Sequence, residues 1–235
     1  MTEIKQKILS IDFDYIMFPC IRLYNDICEG AENPSITWNS IKYNRGVEDN
    51  FLSYDANTYT TIVKLIKAIV DKDNNIDKIA IVEHQNIIDI LNKYEFNESN
   101  QPDNKDKELS FKYDLLNIDF HHDVLYRAQD RTAIKNFNKY NCSNWVGYLF
   151  IKDKIDKYTW IKAANSDMYD NRLNGTYDIK VNYESIRLIS DPKKFIEEQE
   201  TKFDKIFLCF SPQWVPYQYK HLYDLIVDLF EFRKE

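Results

Sequence analysis

Lys7-Ile8-Leu9-Ser10-Ile11-Asp12-Phe13-Asp14 reads as a short buried-strand candidate over residues 7–13, ending where two carboxylates, Asp12 and Asp14, flank Phe13. Runs of this length without polar alternation suit strands buried on both faces, as in parallel sheets. Three other stretches repeat the design. Residues 77–82 (DKIAIV) lead into Glu83-His84, residues 113–120 into His121-His122-Asp123, and residues 205–210 (KIFLCF) into Ser211-Pro212. Between these strands the spacing predicts helices. Ile62, Leu65, Ile66 and Ile69 recur at helical intervals over 60–70, and 86–94 and 217–232 read as further helices. Strands alternating with helices predict one α/β domain over residues 1–235, with a mostly parallel sheet between two helical layers. In such sheets, sites gather at the carboxyl ends of the strands.

The rest of the chain fills in around this frame. Residues 158–163 and 184–189 are further strand candidates, and 144–151 is amphipathic without a clear period. Asp191-Pro192 reads as a helix N-cap followed by proline at the first helical position, opening a helix to about Lys202. Residues 20–57 and 98–108 read as loops.

Composition narrows the function classes. A net charge of −7 argues against a general nucleic-acid binder. Only 4 glycines argue against a glycine-rich phosphate loop. The four cysteines (20, 28, 142 and 209) form no CxxC pair, which argues against a zinc knuckle, and Cys142 and Cys209 read as buried small residues. No apolar run reaches membrane-spanning length. A soluble, cytoplasmic protein with reduced thiols is the expectation, with its oligomeric state open.

The densest chemistry lies in Asn117-Ile118-Asp119-Phe120-His121-His122-Asp123. Asp119, His121 and Asp123 stand at alternate positions, so an extended segment turns them to one face. Two of the chain's 4 histidines fall in this stretch. With Asp12, Asp14 and His84, the strand ends offer four carboxylates and two imidazoles. Mixed oxygen and nitrogen donors suit Mn²⁺, Fe²⁺ or Zn²⁺, and the carboxylate excess leans toward Mn²⁺. Six donors exceed what one catalytic zinc needs and match a two-metal site. His122 alternates to the opposite face. Glu83 and the indoles of Trp145 and Trp214 have bland readings as structural residues.

Ser10-Ile11-Asp12-Phe13-Asp14 resembles the S-x-D-x-D strand of arginase-type ureohydrolases, and residues 119–123 fit their D-x-H-x-D motif. Glu83-His84 resembles the strand end that supplies their remaining ligand. In those enzymes the S-x-D-x-D strand comes late, whereas here it comes first. That order, with Asn141-Cys142-Ser143-Asn144-Trp145 and Phe210-Ser211-Pro212-Gln213-Trp214, resembles the peptide arginases, which convert arginine in ribosomally made peptides to ornithine. The resemblance implies an arginase/deacetylase-like fold, two Mn²⁺ ions and an arginine-containing peptide, a ribosomal precursor included, as substrate, with neither nucleic acid nor membrane as partner. It implies Asp12 and Asp119 as shared ligands, His84 and Asp123 on one ion, and Asp14 and His121 on the other. Asp14 would relay a proton, His122 is a further acid/base candidate, and Glu83 would hold the guanidinium. Asn144, Trp145 and Trp214 would line the substrate. Gln213 departs from the family pattern, which has acidic residues after the Ser-Pro element.

Three rival readings stand beside this one. Asp12 and Asp14 also resemble the nucleophile and acid/base pair of haloacid-dehalogenase-type phosphatases, which leaves Asp119, His121 and Asp123 without a role. His121-His122 resembles the paired histidines of zinc deacetylases. A non-catalytic binding protein whose metal organises loops is the third.

Overall fold

The computed structural model describes residues 2–18, 53–104, 107–124, 128–163, 186–189 and 202–235. The predicted helix from Asp191 to Lys202 and most of the predicted 20–57 loop lie outside the described residues. Within them, β1 (Thr2–Asp12) is central to a seven-stranded sheet. The other strands are β4 (Asp77–Ile81), β5 (Leu109–Asp119), β6 (Ile155–Lys162), β7 (Ile186–Ile189), β8 (Lys205–Cys209) and β9 (Arg233–Lys234), in the order β7-β6-β5-β1-β8-β4-β9. Every pairing in this sheet is parallel. A separate antiparallel pair, β2 (Met17–Phe18) with β3 (Ser53–Tyr54), follows the first strand.

Helices cover both faces. On one side α1 (Ala56–Lys72) and α5 (Lys220–Leu229) bury Ile62, Leu65, Ile66, Ile69, Tyr223 and Ile226 against Leu9, Ile11, Leu116, Ile118 and Leu208. On the other, α2 (Asn86–Ser99), α3 (Ala128–Phe137) and α4 (Trp145–Ile151) pack Ile87, Leu91, Ile134, Trp145 and Leu149 on Ile8, Ile79, Leu115 and Phe207. The α/β class, the parallel sheet and the three layers therefore stand as the sequence predicts. The period-2 alternation of strand side chains divides the apolar set between two cores. Asp55 caps α1, its carboxylate accepting from the backbone N–H of Asn57 at 2.9 Å. No helix among the described residues is long and apolar enough to cross a membrane.

The order of connection positions the site. From β1 the chain crosses by α1 to β4 on one side, and from β5 it crosses by α3 and α4 to β6 on the other. The two crossovers use opposite faces. Adjacent strands whose connections leave in opposite directions open a crevice at their carboxyl ends, the switch point where α/β sheets bind ligands. Here those strands are β1 and β5, and Asp12 and Asp119 are their last residues.

Several boundaries differ from the sequence reading. β1 begins at Thr2 and β5 at Leu109, because the added residues, mostly polar and exposed in β1, still pair with one another in parallel register. The predicted helix over 217–232 resolves as a 3-10 turn (Tyr217–Tyr219) and α5, which ends at Leu229, and the edge strand β9 follows it. Residues 145–151 resolve as helix, and α3 has no counterpart in the sequence reading.

Candidate metal centre

Register brings the carboxylates together. Ile11 pairs with Ile118, so Asp12 and Asp119 stand side by side one level further on. His84 follows β4 and turns its Nδ1 into the cluster, 3.1 Å from Asp12 Oδ2, 3.3 Å from Asp119 Oδ2 and 3.1 Å from Asp123 Oδ2. Its other nitrogen, Nε2, lies 3.0 Å from the Ser10 hydroxyl. The second imidazole, His121, places Nδ1 3.0 Å from Asp14 Oδ2 and 3.9 Å from Asp119 Oδ1. All six predicted ligands thus converge, across 107 residues of sequence separation between Asp14 and His121.

Strand alternation, which the sequence reading relied on, is not what aims them. Asp14 lies in a 3-10 turn (Phe13–Ile16), and its backbone N–H donates to Asp12 Oδ1 at 3.1 Å. β5 ends at Asp119, and His121 and Asp123 belong to the loop beyond it. There Asp119 Oδ1 accepts from the His121 N–H at 2.7 Å, folding the loop back over the strand end. Asp123 takes a positive φ of 50°. Its carbonyl accepts from the N–H groups of Val146 and Gly147, which ties the loop to the first turn of α4. Positive φ at a residue with a Cβ is uncommon and clusters at functional sites.

A shell of donors fixes the carboxylates. Ser211, itself at φ 49°, donates its hydroxyl to Asp12 Oδ2 at 2.6 Å. Asn117 Nδ2 donates to Asp119 Oδ2 at 3.1 Å, while its Oδ1 is buried without a hydrogen-bond partner. Trp145 Nε1 donates to Asp123 Oδ2 at 2.8 Å. Aromatic rings back the imidazoles: Trp145 on His84, Trp214 on His121 and Trp160 on His122. Ser10, Asn117, Ser211 and Trp160 received no site role from the sequence. Their type carries no signal, and only their level on the sheet does.

The remaining predicted residues lie at varying distances from the cluster. Trp145 is fully buried and holds Asp123. Trp214 is half-buried beside His121. Asn144 accepts from the Asn141 N–H at 2.9 Å and so ties the turn before α4. His122 is buried, with Nδ1 accepting from the Val124 N–H at 3.1 Å. Glu83 is half-buried, its carboxylate held by Gln213 Nε2 at 2.7 Å and Gln85 Nε2 at 2.5 Å.

Electrostatics show what this arrangement would accommodate. Burial drives the Asp14 carboxyl from the ordinary 3.8 to about 8, with Asp12 and Asp119 pushing the same way. Burial and the neighbouring Asp119 similarly raise Asp123 to about 7, and burial raises Asp12 to about 6. Burial opposes charge on the imidazoles, but the surrounding carboxylates overcome it. His121 rises to about 9, chiefly through Asp14, and His84 rises well above its ordinary value. Crowded buried carboxylates that resist ionisation are stabilised by a cation placed among them. The donors fit one. His84, Asp119 and Asp123 present one donor atom each within 4.8 Å of one another, and so do Asp14, Asp119 and His121. These buried Asp/His groups can hold a metal. The chain matches no protein-family model, no curated protein and no solved structure.

Proposed function

We propose that the chain is a dinuclear-manganese hydrolase with an arginase-like fold that cleaves the guanidino group of arginine within a peptide, leaving ornithine and releasing urea. The observation that carries this reading is the sharing of Asp119 between two ligand triads. His84 and Asp123 would hold one ion and Asp14 and His121 the other, with Asp12 and Asp119 spanning both. Oxygen-rich, nitrogen-poor donor sets favour Mn²⁺ among the first-row ions that accept imidazole. When bound, a pair of such ions supplies Lewis acidity and a water acidified toward neutral pH.

The residues of the chain do the rest. Glu83 is fixed by two side-chain amides rather than by a cation, so its charge is left to pair with a guanidinium. Trp214 offers an apolar wall beside His121 for the methylenes of arginine. Asp14 would take a proton from the attacking water and pass it to the departing amine. The water oxygen joins the guanidinium carbon, the bond from that carbon to Nε breaks, and the peptide keeps the amine. No covalent enzyme intermediate is needed.

The test is metal counting together with product analysis. Protein loaded with Mn²⁺ should bind two ions by elemental analysis, release urea from an arginine-containing peptide, and leave a peptide with the mass of the ornithine product. Two bound ions without urea from any guanidine substrate would remove the ureohydrolase assignment. One observation favours a second reading, a single-zinc amidohydrolase of deacetylase type. The His84 group is tighter than the His121 group, where one contact opens to 3.9 Å. One tightly held Zn²⁺ and amide cleavage would select it.

A further inference from the structure

Cys209 is the last residue of β8 and pairs in register with Asp12. The carboxyl rim of the sheet therefore carries Asp119, Asp12 and Cys209 on three adjacent strands at one level. Parallel neighbours at one level turn their side chains to the same face. The thiol Sγ lies 3.2 Å from Ser211 Oγ, the hydroxyl that donates to Asp12, and 3.5 Å from the Val82 carbonyl. Sγ, an Asp12 oxygen and a His84 nitrogen all fall within 4.8 Å of one another. All three side chains are buried.

We infer that Asp12, His84 and Cys209 form a second mode of metal binding at this rim, selective for a thiophilic divalent cation such as zinc. Sulfur is the donor that separates zinc from manganese, because soft thiolate ligands select Zn²⁺ while carboxylate and imidazole serve both. One oxygen, one nitrogen and one sulfur donor leave a fourth position of a tetrahedral ion for water or substrate. On binding, the S–H bond breaks, its proton leaves to solvent, and a metal–sulfur bond forms, with no change of oxidation state. This mode draws on Asp12 and His84, which also belong to the proposed manganese centre, so the two occupancies exclude each other. Zinc is then an inhibitor of any manganese-dependent turnover here. The site itself does not require the hydrolase reading.

The experiment uses Co²⁺ as a coloured stand-in for Zn²⁺. A Cys20→Ser, Cys28→Ser, Cys142→Ser chain keeps Cys209 as its sole thiol. It should show the near-ultraviolet sulfur-to-cobalt charge-transfer band. Absence of that band overturns the inference. In the otherwise native chain, Cys209→Ser should abolish the band and lower zinc affinity at least about tenfold, the scale on which lost metal-site partners act. A band that persists in Cys209→Ser overturns the inference too. Urea release measured on the native chain loaded with Mn²⁺ in place of Co²⁺ separates the two proposals. A sulfur band without urea removes only the hydrolase reading, and urea without a sulfur band removes only the thiol site.

Discussion

The two ends of the same sheet treat charge in opposite ways. At the amino end, carboxylates meet lysine and arginine near solvent: Lys5 with Asp156 at 3.0 Å, Lys112 with Asp153 at 2.8 Å, Arg233 with Asp77 at 3.2 Å, and Lys154 with Glu95. At the carboxyl end, the cationic partners of Asp12, Asp14 and Asp119 among the described residues are imidazoles only. The amino end is neutralised within the chain and screened by water, where an ion pair contributes little. The carboxyl end is buried, crowded with acid and held in shape by Ser211, Asn117 and Trp145. Such an arrangement costs stability unless protons or a cation relieve it. Electrostatic sacrifice confined to one end of a sheet makes that end the candidate functional site.

The largest break in this contrast should come from Asp119→Ala. It removes a donor from both ligand groups, so bound Mn²⁺ should fall to background by elemental analysis, with urea release lost alongside it. A variant that keeps two ions would show that Asp119 is not the shared ligand. Trp145→Phe keeps an aromatic ring but deletes the bond to Asp123 together with part of the indole's packing. Its metal affinity should drop roughly 10–100-fold by calorimetric titration, as for other groups that orient ligands. An unchanged affinity would reduce Trp145 to packing.

Metal itself should sharpen the contrast next. Manganese at about 100 times its dissociation constant adds roughly 2.7 kcal/mol. A domain of this size converts that to a Tm rise of roughly 5–10 °C. Chelator should reverse the rise, and a Tm indifferent to both would count against a metal centre.

pH gives a smaller effect with a definite sign. Asp12, Asp123 and Asp14 rise from 3.8 to about 6, 7 and 8, and His121 rises from 6.5 to about 9. The folded, metal-free protein therefore holds more protons than the unfolded chain across that span. These groups contribute stability that is full below their unfolded values and is lost as pH climbs through the folded ones. Denaturant midpoints of chelator-treated protein should fall from pH 5 to pH 8, and excess manganese should flatten the slope. A rise in the metal-free midpoint over that range would contradict the assignment. At the other end of the sheet, Lys5→Ala should produce no measurable change in Tm.

How far the sequence reached can be judged from particular residues. The buried halves of the four principal strands were legible because apolar runs of Ile, Leu and Phe, such as residues 206–208, have no other comfortable place in a chain this size. The amino-terminal halves of β1 and β5 were not, since residues 2–6 are mostly polar and Ser110 and Lys112 interrupt the apolar side chains of residues 109–112. The six ligand candidates could be chosen by type and spacing. Their geometry could not, because a 3-10 turn and a loop with positive φ at Asp123, rather than strand pleat, bring Asp14, His121 and Asp123 inward.

Sequence alone determined the class of fold and the inventory of donors, since apolar periodicity and residue chemistry are local properties. Tertiary structure alone decided which of those donors share a point in space. Strand order and register are long-range facts, set by how two apolar faces are buried at once. Only they reveal that Cys209, read as core filling, stands level with Asp12 and within reach of His84.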